Sequence, residues 1–342
     1  MYVGNRYNAR TIWFWAGRNL IQVTALAGFV YVGYEWLHWR FLSIPFLPIA
    51  SIGTAVAFYI GFKNSQSYER LYEGRRLWGS ITNSCRSFGA QVIGVVGNPG
   101  IEVPPERIRA VQTELLYRQM AWMNALRVQL RKTPALHRKR REDLLHIDWV
   151  KHVHSGDGLA DEADTDAVLA HFSCSPERRL LAGKSNIAAH LLVRQAETLT
   201  DLKRRGWIDE FEHNDLMRHV SAFYEHQGGC ERLKSFPFPR QYAIFSGWFV
   251  KIFMALLPFG LIKEMGALGR GASWLVIPFT ALIAWVFYTM EQVGDSSEDP
   301  FDGGGNDVPI STICRSTEVD LREMLNETDL PARLQPISDV LL

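Results

Sequence analysis

Phe41 to Phe62 is a run of 22 residues without a single charge. A spanning helix needs about 20 apolar residues, so this run is long enough to cross a bilayer. No turn cluster ends it. The chain passes directly into Lys63, Glu69, Arg70, Glu73, Arg75 and Arg76. One helix is therefore expected to leave the apolar layer and continue into water. That suits an element lining a passage from bilayer to cytosol better than it suits a simple anchor.

The average composition conceals this segregation. The 342 residues are 47% hydrophobic, yet the mean hydropathy is only -0.07. Four apolar runs stand apart from a charged middle: Thr11 to Leu37, broken by Arg18, Asn19 and Gln22; Phe41 to Phe62; Tyr242 to Ile262, with Lys251 near its centre; and Gly271 to Met290. The expected fold is an all-α membrane protein with four transmembrane helices and a helical cytoplasmic domain. Residues 1–62 would hold the first two spans, 63–239 the cytoplasmic domain with a charged insert at about 132–176, 240–294 the last two spans, and 295–342 a cytoplasmic C-terminal segment. Arg6 and Arg10 precede the first span, and Lys63, Arg70, Arg75, Arg76 and Arg86 follow the second. Basic residues collect on the cytoplasmic side, which places both termini there in a multi-pass inner-membrane protein. Trp13, Trp15, Trp36, Trp39 and Trp274 sit at span ends, where an interfacial aromatic belt would hold them.

Several function classes drop out. A net charge of +1 offers no polybasic field for nucleic acid. Cys85, Cys174, Cys230 and Cys314 are dispersed, without the paired spacing of a zinc site or a disulfide frame. His146, His152 and His154 lie in the charged insert and lack the helical spacing of a metal pair. No phosphate loop, G-x-S-x-G or H-E-x-x-H occurs. No catalytic residue, cofactor or metal is expected.

The middle reads as helical. Pro104-Pro105-Glu106 marks a helix start, since Pro is tolerated in the first turn. Glu177 to Arg205 reads as one long helix stopped by Gly206. Asp209 with Glu212 three residues on predicts a capping box, and Gly228-Gly229 predicts the end of that helix. The last thirty-five residues read as a tail along the cytoplasmic domain or a loose end.

On the second span, Ile52, Val56, Ile60 and Asn64 recur every four residues and form one slowly drifting stripe. Beside them Gly53, Ala57 and Gly61 form a small-residue face that permits close helix approach. Several copies packed around an axis would turn the small face to a neighbour and the branched face inward. A ring of branched side chains then makes a dry constriction. The same stripe also fits lipid or a private helix bundle.

Three motifs go further. Gly61 to Gly79, GFKNSQSYERLYEGRRLWG, closely resembles the signature of bacterial bestrophin-like proteins. Gly228-Gly229-Cys230-Glu231-Arg232 running to Pro237-Phe238-Pro239 and Tyr242 resembles the segment before their third span, and Glu298-Asp299-Pro300-Phe301 through Asn306-Asp307 and Pro309 the segment after the fourth. The departures are Lys63 for Arg, Leu71-Tyr72 where Trp is common, and Gly74 for Ala. The resemblance covers nearly the whole chain in order. It implies a homopentameric channel in the lipid bilayer, passing small inorganic ions through one central pore.

In that family three apolar residues on the second span form the neck, and counting back from Trp78 places them on Ile52, Val56 and Ile60, with Asn64 as the polar residue beside the pore. The family's cytoplasmic aperture falls on Phe211, with Ile208 its nearest rival. Animal relatives use an acidic cluster for calcium activation, but Asp302 to Asp307 carries three Gly in its place, which implies a calcium-independent channel. Lys251 is expected to pair with Glu35 or Glu291 at a subunit interface, or to snorkel. The function so implied is conduction of small monovalent ions. The alternative is a membrane-anchored scaffold or accessory subunit without conduction of its own.

Overall fold

The structure is a computed structural model. It describes residues 1–4, 9–97, 103–132, 165–173, 175–236, 238–269, 271–336 and 339–341. The described residues form ten α-helices: α1 (Ala9–Glu35), α2 (Phe46–Val95), α3 (Pro105–Arg131), α4 (Thr165–Phe172), α5 (Ser175–Leu181), α6 (Ile187–Arg204), α7 (Glu210–Ser235), α8 (Arg240–Ala267), α9 (Val276–Ser296) and α10 (Ile310–Met324). The β structure among the described residues is one antiparallel bridge, Tyr2 with Val340. The helices divide into two compact units, Gly4–Leu71 with Pro237–Asp299, and Met1–Val3 with Tyr72–Phe236 and Pro300–Leu342.

The first unit holds α1, the N-terminal part of α2, α8 and α9. Among the described residues, three helical stretches are long and apolar enough to cross a membrane: Arg40–Val95, Gln241–Ala267 and Ala272–Ser296. The fourth expected span, α1, is not among them. It forms a continuous helix of 27 residues, but Arg18, Asn19 and Gln22 interrupt its apolar run. α1 packs on α8 and α9, which pack on each other. The buried cluster that results includes Val30, Ile49, Val56, Ile60, Val250, Phe253 and Val276. Gly53 admits the ring of Phe253, since a Cβ there would lie 2.6 Å from Phe253 Cε2. The small-residue face is thus used at Gly53 by a helix of the same chain.

The expectation of a helix continuing beyond its apolar run is met. α2 runs unbroken for 50 residues, about 75 Å at 1.5 Å per residue.

The second unit is built around α3, which starts at Pro105 as the double proline predicts and is buried almost throughout from Leu115 to Leu130. α4, α6, α7 and α10 pack against it. Several buried polar groups there are paired. Trp122 Nε1 donates to Gln227 Oε1 at 2.9 Å. Glu231 Oε1 accepts from the side-chain amides of Gln129, Asn186 and Gln227 at 2.8–2.9 Å. This amide cage ties α3 and α7 to the first turn of α6.

Two sequence expectations are corrected here, and the open choice for the C-terminal segment, along the domain or loose, falls to the first. The predicted helix Glu177 to Arg205 is two helices, because Gly183 takes a φ of +77° and Asn186 caps a new start by accepting the Ala189 N–H at 3.0 Å. α7 does not stop at Gly228-Gly229 but runs to Ser235. Gly229 is there for proximity, since a Cβ would lie 2.8 Å from Leu77 Cδ2. The C-terminal segment contains the amphipathic helix α10, whose Ile310, Cys314, Val319 and Leu321 are buried. Most of the charged insert, with His146, His152 and His154, lies outside the described residues.

Candidate permeation surface

The N-terminal part of α2 has two unlike faces. Val56 is 4% exposed and Ile60 0%, both inside the cluster shared with α8 and α9. Ile52 alone of the expected stripe is exposed. A side chain enclosed by its own protomer's helices cannot also line a passage shared among protomers. The assignment of Val56 and Ile60 to a pore is therefore corrected. The open face lies beside it: Ser51, Thr54, Phe58, Phe62 and Ser65 are exposed, Phe58 at 81% and Phe62 at 48%. Thr54, Phe58 and Phe62 also recur every four residues, so spacing alone did not separate the two stripes. The Ser51 and Thr54 hydroxyls donate to the carbonyls of Leu47 and Ala50 at 3.1 and 3.0 Å, which quiets two polar groups in an apolar setting.

A buried ionic network fixes which face points inward. Lys63 Nζ donates to Glu291 Oε1 at 2.7 Å and to Asp295 Oδ1 at 2.6 Å. Ser246 Oγ on α8 donates to Glu291 Oε2 at 2.5 Å. Lys63 and Glu291 are both buried. Removing one partner of such a pair costs about 3–5 kcal/mol, because the other charge is left without compensation. Asn64 belongs to the same contact, where its Nδ2 donates to the Met290 carbonyl at 3.0 Å. The expected pore-side Asn64 is thus turned toward α9. A Cβ at Gly294 would run into the Asn64 amide and lie 3.5 Å from Lys63 Cε, so the Asn64 and Lys63 side chains rest directly on the bare α9 backbone there. Lys251 does not pair with Glu291, which Lys63 occupies. Its ammonium lies 5.6 Å from the Trp248 ring centroid, a cation–π distance. Rings extend the contact beside the network: Tyr59 stacks on Tyr242 at 5.9 Å, and Phe62 meets Tyr242 at 6.0 Å.

In the second unit, α7 opens with the predicted capping box. Glu212 N–H donates to Asp209 Oδ1 at 2.7 Å, and Asp209 N–H to Glu212 Oε2 at 2.8 Å. Phe211 projects from this first turn and is 80% exposed, whereas its rival Ile208 is 2% exposed. An exposed Phe on a capped helix tip satisfies no core. Glu210 beside it pairs with Lys203, and the hydrogen bond and charge of that ammonium hold its carboxyl below the usual range.

The acidic, glycine-rich loop is engaged with the protein's own groups. Asp302 pairs with Lys234 of α7. Asp307 Oδ2 accepts the Gly304 N–H at 2.7 Å, and the Asp307 side chain is buried. Burial pushes its carboxyl up to about 6 against the pull of that hydrogen bond and of Arg131. Among the described residues no group of three or more His, Cys, Asp or Glu is placed to hold a metal. Burial likewise pushes the Cys230 and Cys314 thiols up to about 12, so both stay as unreactive thiols.

Comparison with known proteins follows the same lines. The family model described as bacterial and fungal bestrophin protein matches residues 12–323. A voltage-dependent anion channel-forming protein of Escherichia coli K12, YneE, is 26% identical over 338 residues, 96% of this chain and 94% of its own length. A voltage-dependent anion channel-forming protein of Mesorhizobium japonicum is 27% identical over 289 residues, 84% of this chain and 77% of its own. Among solved structures, a single-site variant of a bacterial bestrophin homolog from Klebsiella pneumoniae superposes with a TM-score of 0.74 at 22% identity, over 92% of this chain and 99% of that one. Its counterpart phased on zinc gives 0.73 at 21% identity, over 90% and 97%. The fold is therefore the bestrophin fold, a membrane protein with helical spans. With motif, family model and fold in agreement over nearly its whole length, the chain belongs to the bacterial and fungal bestrophin family, a family of channels and not of enzymes.

Proposed function

We propose that the protein forms a calcium-independent ion channel. Five copies surround one axis in the inner membrane, with both termini cytoplasmic. The exposed α2 face, Thr54, Phe58 and Phe62, forms the neck, and Phe211 forms the cytoplasmic aperture. The observation that carries this reading is the α2 face itself. Two large rings stand exposed four residues apart among Ser51, Thr54 and Ser65, on the side away from the protomer's core. Repeated around an axis, that face becomes a ring of Phe with flanking hydroxyls, an apolar constriction with wettable margins. The permeant class is small monovalent ions. The names of the relatives set the expectation of anions. Glu210 and Glu212 on the aperture turn oppose the positive end of the α7 dipole, so the sign of selectivity is a quantity for the reversal potential to give.

The test is single-channel recording of the purified protein in planar bilayers, with native mass giving the number of copies. Phe58→Ala and Phe62→Ala should each widen the constriction and raise unitary conductance. Phe211→Ala should shift the reversal potential in asymmetric salt more than either does. A folded, assembled protein that dissipates no ion gradient from liposomes would instead be the scaffold or accessory subunit.

A further inference from the structure

We propose that Lys63, clamped between Glu291 and Asp295, is a positioning residue that sets the rotation of α2 and so the balance between conducting and non-conducting states. This rests on the neck assignment above. Three observations on the first unit carry it. The network is buried and ionic where aliphatic side chains of similar size would pack as well, and buried charges earn no stability by themselves. What an ammonium gripped by two carboxylates supplies is direction, because Lys63 satisfies both at only one rotation of α2.

The place of the network matters as much. Lys63 directly follows Phe62 and lies about 140° around the helix from Phe58 at roughly 100° per residue. Any rotation that frees Lys63 therefore moves Phe58. The contact also has no slack, since Asn64 grips the Met290 carbonyl and the Asn64 and Lys63 side chains lie so close on Gly294 that a Cβ there would run into the Asn64 amide. Packed interfaces of this kind switch between discrete arrangements rather than deform.

The full-length protein is recorded in planar bilayers as wild type, Lys63→Met, Lys63→Arg and Glu291→Gln. Lys63→Met should raise the open probability about tenfold and leave unitary conductance and reversal potential unchanged. Lys63→Arg, which keeps the charge and both hydrogen bonds, should gate like wild type, and Glu291→Gln should fall between. A second readout does not need current. Phe58→Cys is reacted with a charged thiol reagent, against the background of the four native cysteines, with and without Glu291→Gln. The rate should change severalfold when the clamp is weakened. Altered conductance or selectivity in Lys63→Met would place the network in the ion path and overturn the proposal, as would equal labelling rates. If the wild type passes no current, the channel reading fails, and the labelling still decides whether the clamp sets the rotation. If Lys63→Met does not assemble, Glu291→Gln alone decides by both readouts.

Discussion

At the scale of single residues, Ile60 and Phe58 show how little separates a core position from an exposed one on a membrane helix. They are two residues apart, both large and both apolar. Ile60 has no exposed surface and Phe58 has most of its own. Truncating the first should open a cavity against α8 and α9, and such losses cost about 2–5 kcal/mol. Ile60→Ala is therefore expected to lower the unfolding midpoint of the protein in detergent while leaving unitary conductance near wild type. A variant of unchanged stability with raised conductance would return Ile60 to the pore. Four-residue spacing could not decide between the two stripes in advance. Around a soluble helix, polar residues reveal which face meets water. On the apolar stretch of α2 the core, the lipid and a dry neck all accept Ile and Phe. The charge that breaks the tie, Lys63, became readable only once Glu291 and Asp295 of another helix were in place.

At the scale of elements, the signals that held were those complete within a few residues. The double proline opens α3, and Asp209 with Glu212 caps α7. The uncharged run flowing into charge is the single long helix α2. The signals that failed needed a partner element to interpret. Gly228-Gly229 looks like a helix end, yet it sits mid-helix because Leu77 of α2 presses on Gly229. Helix α10 was hidden because its apolar positions make sense only against the face of α3. The capping box yields its own prediction. Asp209→Ala removes one side-chain acceptor at the tip that carries Phe211, a loss of about 1 kcal/mol. The unfolding midpoint should fall by the few degrees that this corresponds to, and current through the aperture should become noisier. Asp209→Asn, which keeps an acceptor, should restore both. If Asp209→Ala and Asp209→Asn behave alike, the box does not hold the tip.

At the scale of the whole molecule, one chain folds two units in which buried charge is treated alike, paired with or caged by groups of the protein itself. In the first unit this is the Lys63 network, and in the second the amide cage on Glu231 and the loop around Asp307. The last of these makes stability depend on pH. The Asp307 carboxyl is raised from 3.8 to about 6, chiefly by burial, with Arg131 pulling against it and Asp302 adding to it. A raised carboxyl holds its proton more tightly in the folded state. Its contribution is therefore fully present below the unfolded value and is lost as pH climbs through the folded one. The shift corresponds to about 3 kcal/mol, which is absent at neutral pH and present near the unfolded value. Asp307→Asn keeps an acceptor for the Gly304 N–H but cannot ionise. Its unfolding midpoint should approach or exceed that of the wild type near neutral pH, and its advantage should shrink as pH falls to about 5. Pairing the two proteins cancels the titration of every other group in the chain. A gap between them that stays constant across that range would mean that Asp307 does not change its protonation on folding, and that Arg131 outweighs burial.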